Sequence, residues 1–246
     1  MKDKKNKKLK KRIVNIIYTI IIIVLVLALG FSIYKIINWD KDNKRVKEQE
    51  EEIKKITDIV EVDEKDNKNI EVIEQKEEIA KENPYWDFIK IPLISVNFDE
   101  LKKKNSDTVG WIKVDNTNIN YPVVKCSNND FYLNHGFDEK WNDAGWIFMD
   151  YRNNPVNFDK NTVIYGHSRI DKSMFGTLRN VVKQSWFNNK DNHIIRLSTE
   201  TENTMWQIFS TYTIPKESYY ITTNFKNDGD YATFLKTIKE RSEEEF

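Results

Sequence analysis

Gly110-Trp111-Ile112-Lys113-Val114, then Asp115-Asn116, then Ile119-Asn120-Tyr121-Pro122-Val123-Val124 is the stretch on which the fold turns. Two short runs of β-branched and aromatic residues flank a pair with turn chemistry, so they read as strand, turn, strand. The same signature returns downstream at Trp146–Met149, Thr162–Tyr165, Ile194–Leu197 and Met205–Ile214, with Asn153-Asn154-Pro155 as a further turn. Helical pieces are expected over Phe98–Lys104 and Met174–Val182, and from Tyr231 to the end. In the last, Tyr231, Phe234, Leu235 and Ile238 recur at i, i+3, i+4 and i+7. Six short strands with few helices predict a mainly β protein whose sheet curls into a barrel or sandwich.

This pattern begins near Pro84, and residues 84–246 are long enough for one core. Upstream, from about Asp40 to Asn83, the chain is rich in Lys, Glu, Asp and Asn. Ile53, Ile56 and Val60, then Ile70, Val72, Ile73 and Ile79, give weak helical spacing there. Residues 38–83 are therefore expected to form a charged, partly helical stalk that acts as a spacer.

The 246 residues carry 39 basic and 39 acidic side chains, a formal zero that hides an asymmetry. Lys2, Lys4, Lys5, Lys7, Lys8, Lys10, Lys11 and Arg12 face only Asp3 in residues 1–12, a local charge of +7 that the rest of the chain balances with −7. Between these two parts, Ile13 to Tyr34 holds no charged residue. As a helix it spans roughly 33 Å, enough for a hydrocarbon core of about 30 Å. A cleaved signal peptide would have a shorter apolar region and a small-residue cleavage site. The exit here reads Phe31-Ser32-Ile33-Tyr34-Lys35, so residues 13–37 are expected to be an uncleaved anchor. The positive-inside rule leaves residues 1–12 in the cytoplasm and places the remainder outside, a single-pass type II topology in the cell membrane. A lysine run beside a membrane span is explained by topology, and no nucleic-acid partner is expected.

Several function classes fall away. With 32% charged residues the chain is no multi-spanning membrane protein, and with 13% aromatic residues it is not wholly disordered. None of its seven glycines forms a G-x-G-x-x-G or P-loop pattern. A single cysteine, Cys126, excludes an intramolecular disulfide and a cysteine-built zinc site. No metal or cofactor is expected.

Among His135, His167 and His193, the second stands out by context. Thr162-Val163-Ile164-Tyr165-Gly166-His167-Ser168 puts an imidazole just past an apolar strand, where a loop begins. Such positions commonly present catalytic groups, and an imidazole titrates near pH 6.5. On spacing alone, a lone histidine is more often a hydrogen-bonded structural residue.

Six runs in order resemble the class B sortases, extracellular cysteine transpeptidases of Gram-positive bacteria. They are Asp107-Thr108-Val109-Gly110-Trp111-Ile112; Ile119-Asn120-Tyr121-Pro122-Val123-Val124; Asn129-Asp130-Phe131-Tyr132-Leu133-Asn134-His135; Gly145-Trp146-Ile147-Phe148-Met149-Asp150-Tyr151-Arg152-Asn153; Asn161-Thr162-Val163-Ile164-Tyr165-Gly166-His167; and Ser173-Met174-Phe175-Gly176-Thr177-Leu178. The resemblance implies an eight-stranded sortase β-barrel, of which about six strands can be read here. It implies a thiolate that attacks the Thr carbonyl of a sorting motif on a secreted protein. An imidazolium protonates the leaving amine, an arginine stabilises the oxyanion, and an amine of the peptidoglycan precursor resolves the thioester. His167 matches the catalytic histidine. Asn129, Leu133 and Tyr165 match substrate-groove positions, as do Tyr220 and Ile221.

The chain departs from the family pattern at the nucleophile. The family's cysteine follows the histidine, on the seventh strand, with the arginine beyond it. No cysteine follows His167 here, and Cys126 precedes it. Leu197-Ser198-Thr199-Glu200 imitates the family's Leu-Ser-Thr-Cys run, but it stands too early and is expected to be an earlier strand end. Arg152 and Arg169 also stand too early for the oxyanion arginine. The resemblance thus implies a catalytic domain short of its last strands and inactive as it stands. A non-catalytic membrane-anchored scaffold and a dead paralogue that binds sorting peptides remain as alternatives.

Overall fold

The structure, a computed structural model, describes residues 2–62 and 91–244, with side chains from residue 10 onward. The spacing noted at Ile70, Val72, Ile73 and Ile79, and the expected domain start at Pro84, lie outside the described residues. Contacts divide the chain into two units, Met1–Arg45 and Val46–Phe246.

Helix α1 runs over Lys2–Ile56. Within the first unit its apolar stretch is exposed throughout, and the 18-residue apolar window is long and hydrophobic enough to cross a membrane. The two aliphatic hydroxyls in that stretch turn inward on the helix. Thr19 Oγ1 donates to the Asn15 carbonyl and Ser32 Oγ to that of Ala28, both at 2.9 Å. This spares each hydroxyl an unsatisfied group in lipid.

The second unit begins inside the segment expected as stalk. Val46, Gln49 and Ile53, on one helical face, are buried within it. Strand β1 (Ile59–Val62) then pairs antiparallel with β2 (Leu93–Val96), and neither was legible as a strand in the sequence. Helix α2 (Asp99–Lys104) follows, with acids in its first turn and lysines in its last, as the helix dipole favours.

The six expected strands form one mixed sheet: β3 (Thr108–Val114), β4 (Asn120–Val124), β5 (Phe148–Met149), β6 (Ile164–Tyr165), β7 (Ile194–Ser198) and β8 (Asn203–Gln207). The order is β6-β5-β4-β3-β7-β8. The β4–β5 pair is parallel and the rest are antiparallel. The sheet curls into a half-barrel over a core of Trp111, Val123, Tyr132, Trp146, Ile147 and Met174. Helices α3 (Gln184–Phe187) and α4 (Asp228–Glu240) complete the regular elements.

Differences in element length have local causes. The expected strand Met205–Ile214 stops at Gln207 because its partner there, Ile194, is the first residue of β7. The strand expected from Thr162 starts at Ile164. The Val163 carbonyl still accepts from the Asp150 N–H at 2.9 Å, but the Val163 N–H donates to Asn153 Oδ1 at 2.9 Å and leaves the ladder. The helix expected over Met174–Val182 is a 3-10 segment, Gly176–Asn180, since Met174 sits at φ +51°, outside any right-handed helix. Helix α4 starts three residues before Tyr231, where Asn227 caps it by accepting from the Asp230 N–H at 2.9 Å, and ends at Glu240. Leu197 and Ser198 end β7, and the Thr199 N–H donates to the Glu202 carbonyl at 2.8 Å, so Leu197-Ser198-Thr199-Glu200 is a strand end and hairpin turn.

Candidate functional site

Asp150 follows β5, and its side chain is fully buried. Around this carboxylate a polar cluster closes. Arg152 Nε donates to Oδ1 at 2.8 Å and Nη2 to Oδ2 at 2.6 Å, the bidentate geometry of a strong charge-assisted pair. Asn129 Nδ2 donates to Oδ2 at 2.9 Å, and the Tyr165 hydroxyl to the same oxygen at 2.8 Å. Burial by itself would raise the Asp150 carboxyl, but the bonds from Arg152, Tyr165 and Asn129 outweigh it and hold it well below the usual carboxylate range. Burial, then Asp150, push the Tyr165 phenol above its ordinary value, so it stays a neutral donor.

The cluster reaches into the chain that follows β8. Arg152 Nη2 donates to the Ile221 carbonyl at 2.8 Å. Asn161 Nδ2 donates to the carbonyls of Tyr220 and Thr222, both at 2.9 Å. The 3-10 turn Tyr219–Ile221 is thereby fastened to the loop between β5 and β6.

His167 emerges two residues past β6. Gly166 makes this possible. A Cβ there would stand 2.5 Å from Ile147 Cδ1 and 2.8 Å from the Phe175 ring, so only glycine lets the chain pass. The imidazole is exposed, and its Nε2 lies 2.7 Å from the Leu133 carbonyl. A carbonyl only accepts, so Nε2 carries a proton. The Leu133 side chain is itself exposed.

Six positions were read from the sequence as site residues. The contacts join His167 to Leu133, and Asn129 and Tyr165 to Asp150. Ile221 joins through Arg152, and Tyr220 through Asn161. The sequence reading missed Asp150, which gathers Asn129, Tyr165 and Arg152, and Asn161, which holds Tyr220; the His167–Leu133 contact is a separate one. The only signal was a polar residue at a strand end, which many loops share.

Val124 stands opposite Phe148, and Phe148 opposite Tyr165. Because β4 runs parallel to β5 and β6 antiparallel to it, the chain leaves β4 toward Cys126 and β6 toward His167 in opposite directions along the strands. The thiol is half-buried and donates to the Asn128 carbonyl at 3.2 Å.

With this geometry in view, the comparisons with known proteins agree on one family. The Sortase domain family model matches residues 112–237. The chain is 40% identical over 145 residues to Sortase B of Staphylococcus aureus, which covers 59% of each chain. It is 36% identical over 143 residues to Sortase B of Listeria monocytogenes, covering 58% of this chain and 57% of that one. The Staphylococcus aureus sortase B–substrate complex superposes with a TM-score of 0.57 at 40% identity, covering 61% of this chain and 68% of that one. The chain thus spans less than two thirds of the length of the two full-length relatives. The matched region, the ordered motifs and the curled mixed sheet lead to one conclusion: this chain belongs to the sortase family, within class B.

Proposed function

We propose that this protein is a membrane-anchored cysteine transpeptidase of the class B sortase type, acting outside the cell on secreted proteins that carry a C-terminal sorting motif. The observation that carries this reading is that the family-matched positions fall into two contact groups, His167 on the Leu133 carbonyl, and Asn129, Tyr165 and (through Arg152) Ile221 around Asp150. On this reading residues 1–12 are a cytoplasmic tail and residues 13–37 the anchor. The excess of basic residues before the apolar stretch supports that orientation.

The reaction is acyl transfer. A thiolate attacks the carbonyl of the motif's threonine, and the bond to the following residue breaks as an imidazolium protonates the leaving amine. A peptidoglycan precursor amine then attacks the thioester and frees the thiol. His167 is the acid–base group. With Nε2 protonated and directed at Leu133, Nδ1 is the nitrogen that exchanges the proton. The exposed Leu133 side chain gives the peptide an apolar contact, and Asn129, Tyr165, Tyr220 and Ile221 line the groove. Cys126 is not assigned as the nucleophile, since the family's cysteine follows the catalytic histidine and Cys126 precedes His167.

The test is a titration of the full chain in lipid nanodiscs with threonine-containing sorting peptides from secreted proteins, beside fluorogenic versions of them. Saturable binding that weakens about tenfold or more in Tyr165→Ala is expected, a loss of roughly 1.4 kcal/mol. Absence of saturable binding would remove the site. Cleavage that disappears in Cys126→Ser would overturn the assignment of Cys126.

A further inference from the structure

The loop that leaves His167 is wound in a way the histidine itself does not explain. Lys172 and Met174 both sit in the left-handed region, at φ +68° and +51°. For residues with a Cβ this conformation is uncommon and persists only where the surroundings over-determine it. The loop then closes on its own start. Phe175 N–H donates to the His167 carbonyl at 3.0 Å, and Ser168 bridges Met174. At Gly176 a Cβ would stand 2.3 Å from the Arg169 carbonyl oxygen, so the closure leaves no space for a side chain.

Side chains reach both left-handed residues from outside the loop: Asn118 Nδ2 donates to the Lys172 carbonyl at 3.3 Å, and Tyr121 reaches Met174. The Met174 N–H donates to the Tyr121 hydroxyl at 3.1 Å, in a buried position. That hydroxyl in turn donates to Glu50 Oε1 at 2.8 Å. Tyr121 is 3% exposed and lies edge-on to Trp146, with ring centroids 5.8 Å apart, so the ring cannot swing away. Glu50 belongs to the helical turns Val46–Ile56, whose Val46 and Ile53 are packed in the same core. A phenol that donates to a carboxylate is oriented, and its lone pair is turned toward the amide it accepts from.

We infer that Glu50 and Tyr121 are positioning residues for His167: Glu50 orients the Tyr121 hydroxyl, and that hydroxyl holds Met174 in the left-handed conformation that closes the His167 loop. The role of His167 as an acid–base group rests on the functional reading above, but the coupling itself does not. It also gives the end of α1 a task beyond spacing.

The experiment is NMR on the full chain in lipid nanodiscs, with 13C-methyl methionine and labelled histidine, comparing the native chain with Tyr121→Phe and Glu50→Ala. Tyr121→Phe keeps the ring and removes the hydroxyl. Glu50→Ala, at a partly exposed helical position, serves if the first variant fails to fold. Loss of one hydrogen bond predicts amide exchange at Met174 faster by up to about tenfold. The Met174 methyl resonance should move, the buried Met149 methyl should stay, and the titration midpoint of His167 should shift. A purely structural role would move Met149 and Met174 together and leave the His167 titration where it was, and that result overturns the inference. So does an unchanged Met174 in both variants. A sorting-peptide titration on the same samples separates the two readings. A His167 shift in protein that binds no peptide keeps the coupling and removes the sortase function.

Discussion

Residues 105–199 and residues 200–244 are joined in one compact unit but are built in different ways. The first region buries Trp111, Val123, Tyr132, Trp146 and Ile147, all essentially inaccessible to solvent, and its strands β3, β4, β5 and β7 are paired on both sides. In the second, Thr223 is the one buried residue among those described. The second region is attached to the first by the pairing of β8 with β7, the edge-on contact of Trp206 with Phe158, and the bonds from Arg152 and Asn161 to the turn at Tyr219–Ile221. Inside it, Ser210 donates to the Ile238 carbonyl at 2.7 Å and the Glu243 N–H to the Thr211 carbonyl at 2.7 Å. Buried apolar side chains hold the first region, whereas the second is held by one strand pairing and directed bonds. The proposed site draws on both, with His167, Leu133 and Tyr165 on the packed side and Tyr220 and Ile221 on the tethered side.

This contrast is open to breaking by substitution. The largest effect is expected from Trp111→Ala, which empties a fully buried volume in the packed region. A loss of about 3–5 kcal/mol is expected in urea unfolding of the full chain. Asp150→Asn comes next. It leaves Arg152 without its charged partner at the junction of the two regions, but that guanidinium is 34% exposed, so solvent screening reduces the cost. About 1–3 kcal/mol is expected, with faster hydrogen exchange at residues 219–222 as the specific readout. Asn161→Ala should sharpen the contrast further. It removes two bonds to the tethered turn and none to the packed region, so exchange should rise at Tyr220–Thr222 with a global loss of only about 1–2 kcal/mol.

The smallest effect is one of pH. Burial, despite the bond to the Phe187 carbonyl, holds His193 below its ordinary value, with Lys190 adding to the depression. The folded state therefore favours the neutral ring, and the unfolded chain takes up the proton first as pH falls. Stability should be full above about pH 6.5 and decline as pH drops from there through the folded value. Urea midpoints between pH 7.5 and 5 check this, and His193→Gln should flatten the curve.

What the sequence made legible follows the same division. The β3–β4 hairpin and β7 could be read because β-branched and aromatic runs fill a core and turn residues separate them. β1 and β2 could not, since Ile59–Val62 follows a helical pattern and carries an acid, and its strand character comes from a partner more than thirty residues away. Helical spacing at Ile53 was legible. That Val46 and Ile53 pack into the sheet-bearing unit was not, because an apolar residue in a charged stretch reads the same whether it faces a partner or water. At the site, the ordered motifs pointed to His167, Asn129, Leu133 and Tyr165. Asp150 remained hidden because its importance lies in its three side-chain partners, Asn129, Arg152 and Tyr165, a property of contacts and not of spacing.

The central claim is that His167 and the Asp150 cluster form one peptide-binding site across the two regions. The most direct measurement follows the His167 imidazole and the Ile221 amide together while a sorting peptide is titrated into the full chain. The account predicts that both signals shift along one saturable curve, and that Asp150→Asn weakens the curve at both positions. Independent curves at the two positions, or no saturable shift at either, would contradict it.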